Sequence, residues 1–94
     1  MIRRKAEYEI NPESRDIVEG AIGKFVDAVH AAEKETEYVA YRVTDTDQYL
    51  HIMKFADEAS QLRHQQAEYT LEFVDTLYPN CTRTPEFSSL GLIA

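Results

Sequence analysis

The chain has 94 residues, of which 44 % are hydrophobic and 29 % charged, a composition typical of one soluble globular domain. No segment offers the roughly 20 apolar residues of a membrane span, and a net charge of −7 disfavours nucleic acid, which needs clustered cations. The cations Arg3, Arg4 and Lys5 precede no apolar run of signal-peptide length, so an unprocessed start is expected. A single cysteine, Cys81, permits no internal disulfide, and a cytoplasmic location is the default expectation.

The first two predicted elements are a strand and a helix. Residues 2–10 alternate between two faces, one mainly apolar and one charged, and this period of two predicts a half-buried strand. A helix of about five turns is predicted to follow, because apolar residues recur at three- and four-residue spacing as far as Val29. Asn11 is its expected cap, and Pro12 suits its first position.

Two further strands are predicted over residues 36–43 and 48–56. The polar loop 44–47 between them has the length of a hairpin connection. Both strands carry apolar side chains on both faces, which indicates that both faces are covered. Helices can cover only one of them. The other face requires a second copy of the chain, which predicts a homodimer built sheet against sheet.

A second helical region is predicted to begin at Asp57, its cap, and to end at Pro79. The polar stretch 63–66 predicts a kink or a break within it. Residues 86–93 predict a last short strand. The order of elements predicts one α+β domain over residues 1–94, ferredoxin-like βαββαβ, with a four-stranded antiparallel sheet and both helices on one face.

Three histidines and six tyrosines are the side chains best suited to catalysis or ligand binding. His64, in the polar stretch of the second helical region, is the stronger catalytic candidate. His51 is a weaker one, because a buried histidine on a strand usually hydrogen-bonds a neighbour. His30 is interpreted as a surface or capping residue. No cofactor motif is present, and no metal site is expected. The tyrosines suit both interface packing and a pocket for flat aromatic ligands.

A resemblance to a known family adds to this interpretation. Tyr41-Arg42, the polar loop, Tyr49 to Phe55, Asp57-Glu58-Ala59, His64 and Tyr69 together resemble the antibiotic biosynthesis monooxygenase-like family of dimeric α+β barrel proteins. The resemblance covers nearly the whole chain. It implies a homodimer whose sheets face each other, and a pocket between sheet and helices in each subunit. It also implies His64 as base or donor and a pocket lined by Tyr38, Tyr41, Phe55, Tyr69 and Phe73.

The same resemblance implies an activity. Some members of this family oxidise quinols or anthrones without a cofactor. The heme-degrading members rely on a Trp, which this chain lacks, and Phe55 stands at the end of the third strand. The leading prediction is therefore a monooxygenase acting on a small aromatic or quinol-type substrate, with no cofactor. Two alternatives stay open: a non-catalytic dimer that binds a small apolar molecule, and a structural dimer without a ligand.

Overall fold

The computed structural model describes residues 1–94 and contains four strands and three helices. The strands are β1 (Ile2–Glu9), β2 (Glu37–Arg42), β3 (Gln48–Phe55) and β4 (Glu86–Leu90), and the helices are α1 (Arg15–Ala32), α2 (Glu58–Gln66) and α3 (Glu68–Leu77). The strands form one antiparallel sheet in the order β2-β3-β1-β4. This is the ferredoxin-like α+β arrangement, so the fold prediction is confirmed. None of the helices is both long and apolar enough to cross a membrane.

The core lies between the helices and the inner face of the sheet. Strand β3 contributes most to it, because every second side chain of the strand is buried: Tyr49, His51, Met53 and Phe55. β1 lies beside it, with Ala6 opposite His51 and Tyr8 opposite Tyr49. From the helices, Val18, Phe25, Val29, Phe73 and Leu77 complete the core. The strand period of two therefore decides which residues can reach the space under the helices.

The outer face of the sheet carries charged side chains on β1 and, on β2 and β3, an apolar patch that the chain itself leaves uncovered. Val39 and Tyr41 on β2 are 45 % and 55 % exposed, and Ile52 on β3 is 36 % exposed. The apolar character predicted for both faces of β2 and β3 is therefore present, but only the inner face is filled from within the chain. An exposed apolar patch of this kind is typical of an interaction surface.

Two predicted element boundaries are confirmed at the level of single contacts. Asp57 caps α2, since its Oδ1 atom accepts a hydrogen bond of 2.8 Å from the backbone N–H of Ser60. The break in the second helical region falls at Ala67, whose extended backbone separates α2 from α3, one residue after the polar stretch 63–66.

The cap predicted at Asn11 is wrong. Its side chain makes no capping hydrogen bond, and Pro12 begins a short 3₁₀ turn instead of the helix, so that α1 starts only at Arg15. The backbone of Asn11 is held by the 3₁₀ turn that follows α3 (Tyr78–Asn80), through a hydrogen bond of 2.9 Å from its N–H to the carbonyl of Asn80. This tertiary contact fixes the chain before the helix begins.

The last strand is shorter than the predicted 86–93 and ends at Leu90. β4 pairs only with β1, and Leu90 already lies opposite Arg3. β1 itself begins at Ile2, so almost no partner backbone is left for the residues that follow. The available ladder, and not the local sequence, sets the length of this strand.

Candidate functional site

A cavity of about 330 Å³ lies between the inner face of the sheet and helices α2 and α3. Most of its wall is apolar, with aromatic rings from Phe25, Phe55 and Phe73. Its volume falls in the range of roughly 300–1,000 Å³ that is usual for small-molecule sites. The polar side chains of the wall include His51, His64, Arg4, Tyr8 and Tyr38.

His64 is held at the wall by a carboxylate. The third residue from the end of α2 would be solvent-exposed on an isolated helix, but here it turns inward and is 6 % exposed. Its Nδ1–H donates a hydrogen bond of 2.9 Å to Oε2 of Glu33. The same oxygen accepts a hydrogen bond from the hydroxyl of Tyr69, and Oε1 accepts one of 2.9 Å from Thr36. Three donors on one carboxylate fix its position and thereby the orientation of the imidazole ring.

The hydrogen bond to Glu33 determines which nitrogen of His64 is available. Nδ1 carries the hydrogen, because a carboxylate can only accept. Nε2 is therefore the nitrogen with a free lone pair in the neutral ring, and it makes no hydrogen bond within the protein. Since the ring lines the cavity, an imidazole held in this way by a carboxylate can accept a proton from a ligand.

His51 occupies a second, different environment. It is 1 % exposed and lies between two phenols: Nε2 is 2.7 Å from the Tyr8 hydroxyl and Nδ1 is 2.7 Å from the Tyr38 hydroxyl. Burial lowers the pKa of His51 to about 4, which keeps the ring neutral at pH 7. Burial likewise raises the pKa of Tyr8 and of Tyr38, so both phenols remain protonated.

The cluster of His51, Tyr8 and Tyr38 has one hydrogen-bond donor more than it can use internally. A neutral imidazole has one N–H and one lone pair, so it accepts from one phenol and donates to the other. The phenol that accepts keeps its own O–H, and neither hydroxyl makes another hydrogen bond within the protein. Both hydroxyls belong to residues of the cavity wall. One phenolic O–H is therefore available to a ligand.

The two histidine environments are neighbours. The ring of Tyr38 lies between them, with its centroid 5.5 Å from that of His51 and 5.6 Å from that of His64. Beside them, Phe25 and Phe73 stack with parallel rings at 4.5 Å. The imidazole of His64 and the spare phenolic donor thus share one wall of aromatic rings.

The structure brings five of the seven site residues proposed from the sequence to this cavity: His51, His64, Tyr38, Phe55 and Phe73. Tyr69 lies behind the wall, where it holds Glu33 and borders a smaller cleft between α1 and α3. Tyr41 lies elsewhere, on the outer face of the sheet. The reason is strand parity, because Tyr41 is an odd number of residues from the inward-facing Tyr38. The side chain of Cys81, which lies in a loop, is also outside the cavity wall.

Sequence reasoning missed three residues of the site: Glu33, Tyr8 and Arg4. For Arg4 a signal was present, since a charged residue occupies a position on the apolar face of the first strand, two residues before Ala6. Glu33 carries no such signal, because a glutamate near a helix end is ordinary. No three histidine, cysteine, aspartate or glutamate side chains converge to hold a metal ion.

Comparison with known proteins places this geometry in context. The family model described as antibiotic biosynthesis monooxygenase matches residues 1–76. A crystal structure described as an antibiotic biosynthesis monooxygenase is similar over all of both chains, with a TM-score of 0.91 and 18 % identity. Rv0793 from Mycobacterium tuberculosis gives a TM-score of 0.88 at 14 % identity, covering 99 % of this chain and 95 % of that one.

A third solved structure is similar as well. PA3566 from Pseudomonas aeruginosa gives a TM-score of 0.85 at 20 % identity, covering 99 % of this chain and 94 % of that protein. At such identities the likeness to the solved structures concerns the fold. A search of curated proteins found no match.

Proposed function

Because the chain belongs to the antibiotic biosynthesis monooxygenase family, we propose that it is a monooxygenase that oxidises a small aromatic or quinol-type substrate in the cavity between sheet and helices, without a metal or organic cofactor. The observation that carries the proposal is the pairing of His64 with Glu33 at an apolar cavity wall. A pocket of this kind suits a flat apolar molecule, and the carboxylate-supported imidazole suits removal of a proton from it.

In the proposed mechanism His64 acts first. Its Nε2 atom takes the proton of a substrate hydroxyl, while Glu33 compensates the positive charge that the ring acquires. The product of this step is an electron-rich phenolate or enolate. The aromatic wall excludes water, so the anion depends on hydrogen bonds from the protein. The spare phenolic O–H of Tyr8 or Tyr38 is the donor that the wall supplies.

The oxygen chemistry balances with dioxygen as the only co-reactant. The anion transfers its electrons to dioxygen and forms a C–O bond at a ring carbon that carries hydrogen. The resulting hydroperoxide loses water, leaving a new carbonyl group. One oxygen atom enters the substrate, the other leaves as water, and the substrate supplies both hydrogens. No external reductant is needed, which is why no cofactor enters this proposal.

We further propose that the protein works as a homodimer, held through the outer face of the sheet. The exposed apolar side chains Val39, Tyr41 and Ile52 would be buried against the same residues of a second copy. Tyr41 then belongs to the interface rather than to the pocket, consistent with its position on that face.

Oxygen uptake tests the activity directly. Reduced naphthoquinols and anthrones are supplied to the native protein, to His64→Ala, and to Glu35→Gln as a matched control on an exposed side chain. We expect uptake above the spontaneous rate with the native protein and the control, and a fall of about 10²-fold or more in the His64 variant. Uptake equal to buffer across the panel, or undiminished in His64→Ala, contradicts the proposal.

A second candidate function is binding without turnover. It is favoured by one observation: both nitrogens of His51 are already satisfied by Tyr8 and Tyr38, so part of the wall is a packed network rather than a reactive one. Tight binding of naphthols, together with oxygen uptake no faster than buffer, would select this function.

A further inference from the structure

Arg4 is the one formally charged residue of the cavity wall. It stands on the inner face of β1, opposite Met53 on β3 and Ser89 on β4. Its guanidinium lies over the ring of Phe87, with Cζ 5.9 Å from the ring centroid. A cation over an aromatic face is attracted to it, but this contact leaves the guanidinium N–H groups free to donate.

The guanidinium of Arg4 has no hydrogen-bond or ion-pair partner within the protein. Arg4 forms no ion pair, and its Nε atom is buried without a hydrogen-bond acceptor. Buried polar groups nearly always have a partner, so an orphaned donor on a cavity wall needs an explanation. Arg15 also has a buried, unpartnered Nε, but its guanidinium is paired with Asp47 at 2.6 Å. Arg4 has no such carboxylate.

The distribution of charge strengthens the contrast. The chain carries 17 acidic and 10 basic residues, yet no aspartate or glutamate lines the cavity. The nearby Glu33 lies behind His64 and is occupied by three donors. In a protein with net charge −7, the cavity therefore presents an uncompensated positive group. Its natural complement is an anion on the ligand.

We propose that Arg4 is the anion-binding residue of this cavity, and that the ligand is an aromatic molecule carrying one oxyanion, either a carboxylate or a phenolate. The proposal deepens the proposed function and rests on the cavity being its ligand site. Arg4 holds the oxyanion at the β1/β4 end, where Phe87 and Pro85 complete the wall. The ligand is thereby oriented with respect to His64, which specifies substrates with an anionic group as well as an ionisable hydroxyl.

Binding measurements on isosteric probes test this assignment without turnover. The affinity of 2-naphthoate is compared with that of neutral 2-naphthamide by calorimetry at pH 7. A nitro-substituted naphthol that is ionised at this pH serves as the phenolate probe. We expect an anionic probe to bind about tenfold or more tightly than the amide, because the guanidinium forms an ion pair with the anion but only a hydrogen bond with the neutral amide oxygen. Preference for the naphthoate assigns the oxyanion as carboxylate, and preference for the naphthol as phenolate.

Two variants locate the effect. Arg4→Gln should abolish the preference for the anion, and Arg4→Lys should retain part of it, since the charge remains but the bidentate geometry is lost. Arg83→Gln, on an exposed loop residue, makes the same charge change and should leave the preference intact. Equal affinities of anion and amide for the native protein overturn the Arg4 proposal while leaving the oxygenase proposal standing. Failure of every probe to bind overturns the Arg4 proposal, because it removes the cavity as a site for such ligands. The oxygenase proposal is tested separately by oxygen uptake, so the two proposals can fail independently.

Discussion

Glu33 is the residue whose removal tests most directly whether a carboxylate organises the candidate site around His64. Its side chain is 12 % exposed and accepts hydrogen bonds from His64, Tyr69 and Thr36. In Glu33→Ala the buried His64 donor loses a charge-assisted bond, at a cost of about 1.5–3 kcal/mol, and each hydroxyl loses roughly 0.5 kcal/mol after turning to other partners. We therefore expect the free energy of unfolding to fall by about 3 kcal/mol.

Glu33→Gln separates the hydrogen bonds from the charge. The amide oxygen can still accept from His64 and Tyr69, and the hydroxyl of Thr36 can reverse its role and accept from the amide N–H. We expect a loss of only about 1 kcal/mol in stability. Oxygen uptake should fall much further, because the neutral amide cannot compensate the charge that the ring of His64 acquires.

Urea denaturation at fixed protein concentration measures both effects. For a domain of this size the denaturant slope is on the order of 1 kcal/mol/M, so Glu33→Ala should lower the unfolding midpoint by roughly 3 M. Glu35→Ala is the matched control, because this neighbour is exposed and makes no hydrogen bond. If Glu33→Ala lies within about 0.5 kcal/mol of the native protein, as surface substitutions do, the carboxylate does not organise the site.

Three further predictions concern His51, the outer face and the helix cap. The native state disfavours protonated His51. The free energy of unfolding should therefore decline as the pH falls from about 6.5 to about 4, by up to roughly 1.4 kcal/mol per pH unit. Urea titrations of the native protein at several pH values measure this decline. In His51→Gln this contribution should be absent. Ile52→Glu should convert the proposed dimer to a monomer in sedimentation analysis, whereas Leu62→Glu on the exposed face of α2 should not. Asp57→Ala should cost about 1 kcal/mol in thermal or urea unfolding, because α2 loses its cap.

Each of these has a clear contrary result. An acid slope that persists unchanged in His51→Gln would assign it to other groups. A native protein that sediments as a monomer would contradict the proposed homodimer through the outer face of the sheet. An Asp57→Ala variant as stable as the native protein would show that solvent replaces the cap without cost.

The sequence determined the fold because its signals are local and periodic. Alternation in β1, the three- and four-residue spacing in α1, and the Asp57 cap each follow from backbone geometry acting over a few residues. The order of the elements then leaves few topologies. The resemblance implied His64 as a site residue, while its position in the polar stretch of the second helical region supported it from the sequence alone.

Other features required the tertiary structure. The shortened β4 depends on where β1 begins, and the displaced start of α1 depends on the contact between Asn11 and Asn80. The assignment of Tyr41 to the outer face could have been made from strand parity, but the implied pocket included it.

The chemistry of the site was decided by packing alone. Glu33 meets His64 across 31 residues of sequence, and His51 meets Tyr8 across 43. No local pattern encodes such pairs, because a hydrogen bond depends on atoms within about 3 Å and not on their separation along the chain. The sequence therefore determined which elements form and which faces they bury, whereas only the packed chain decided which donors, acceptors and charges meet at the cavity.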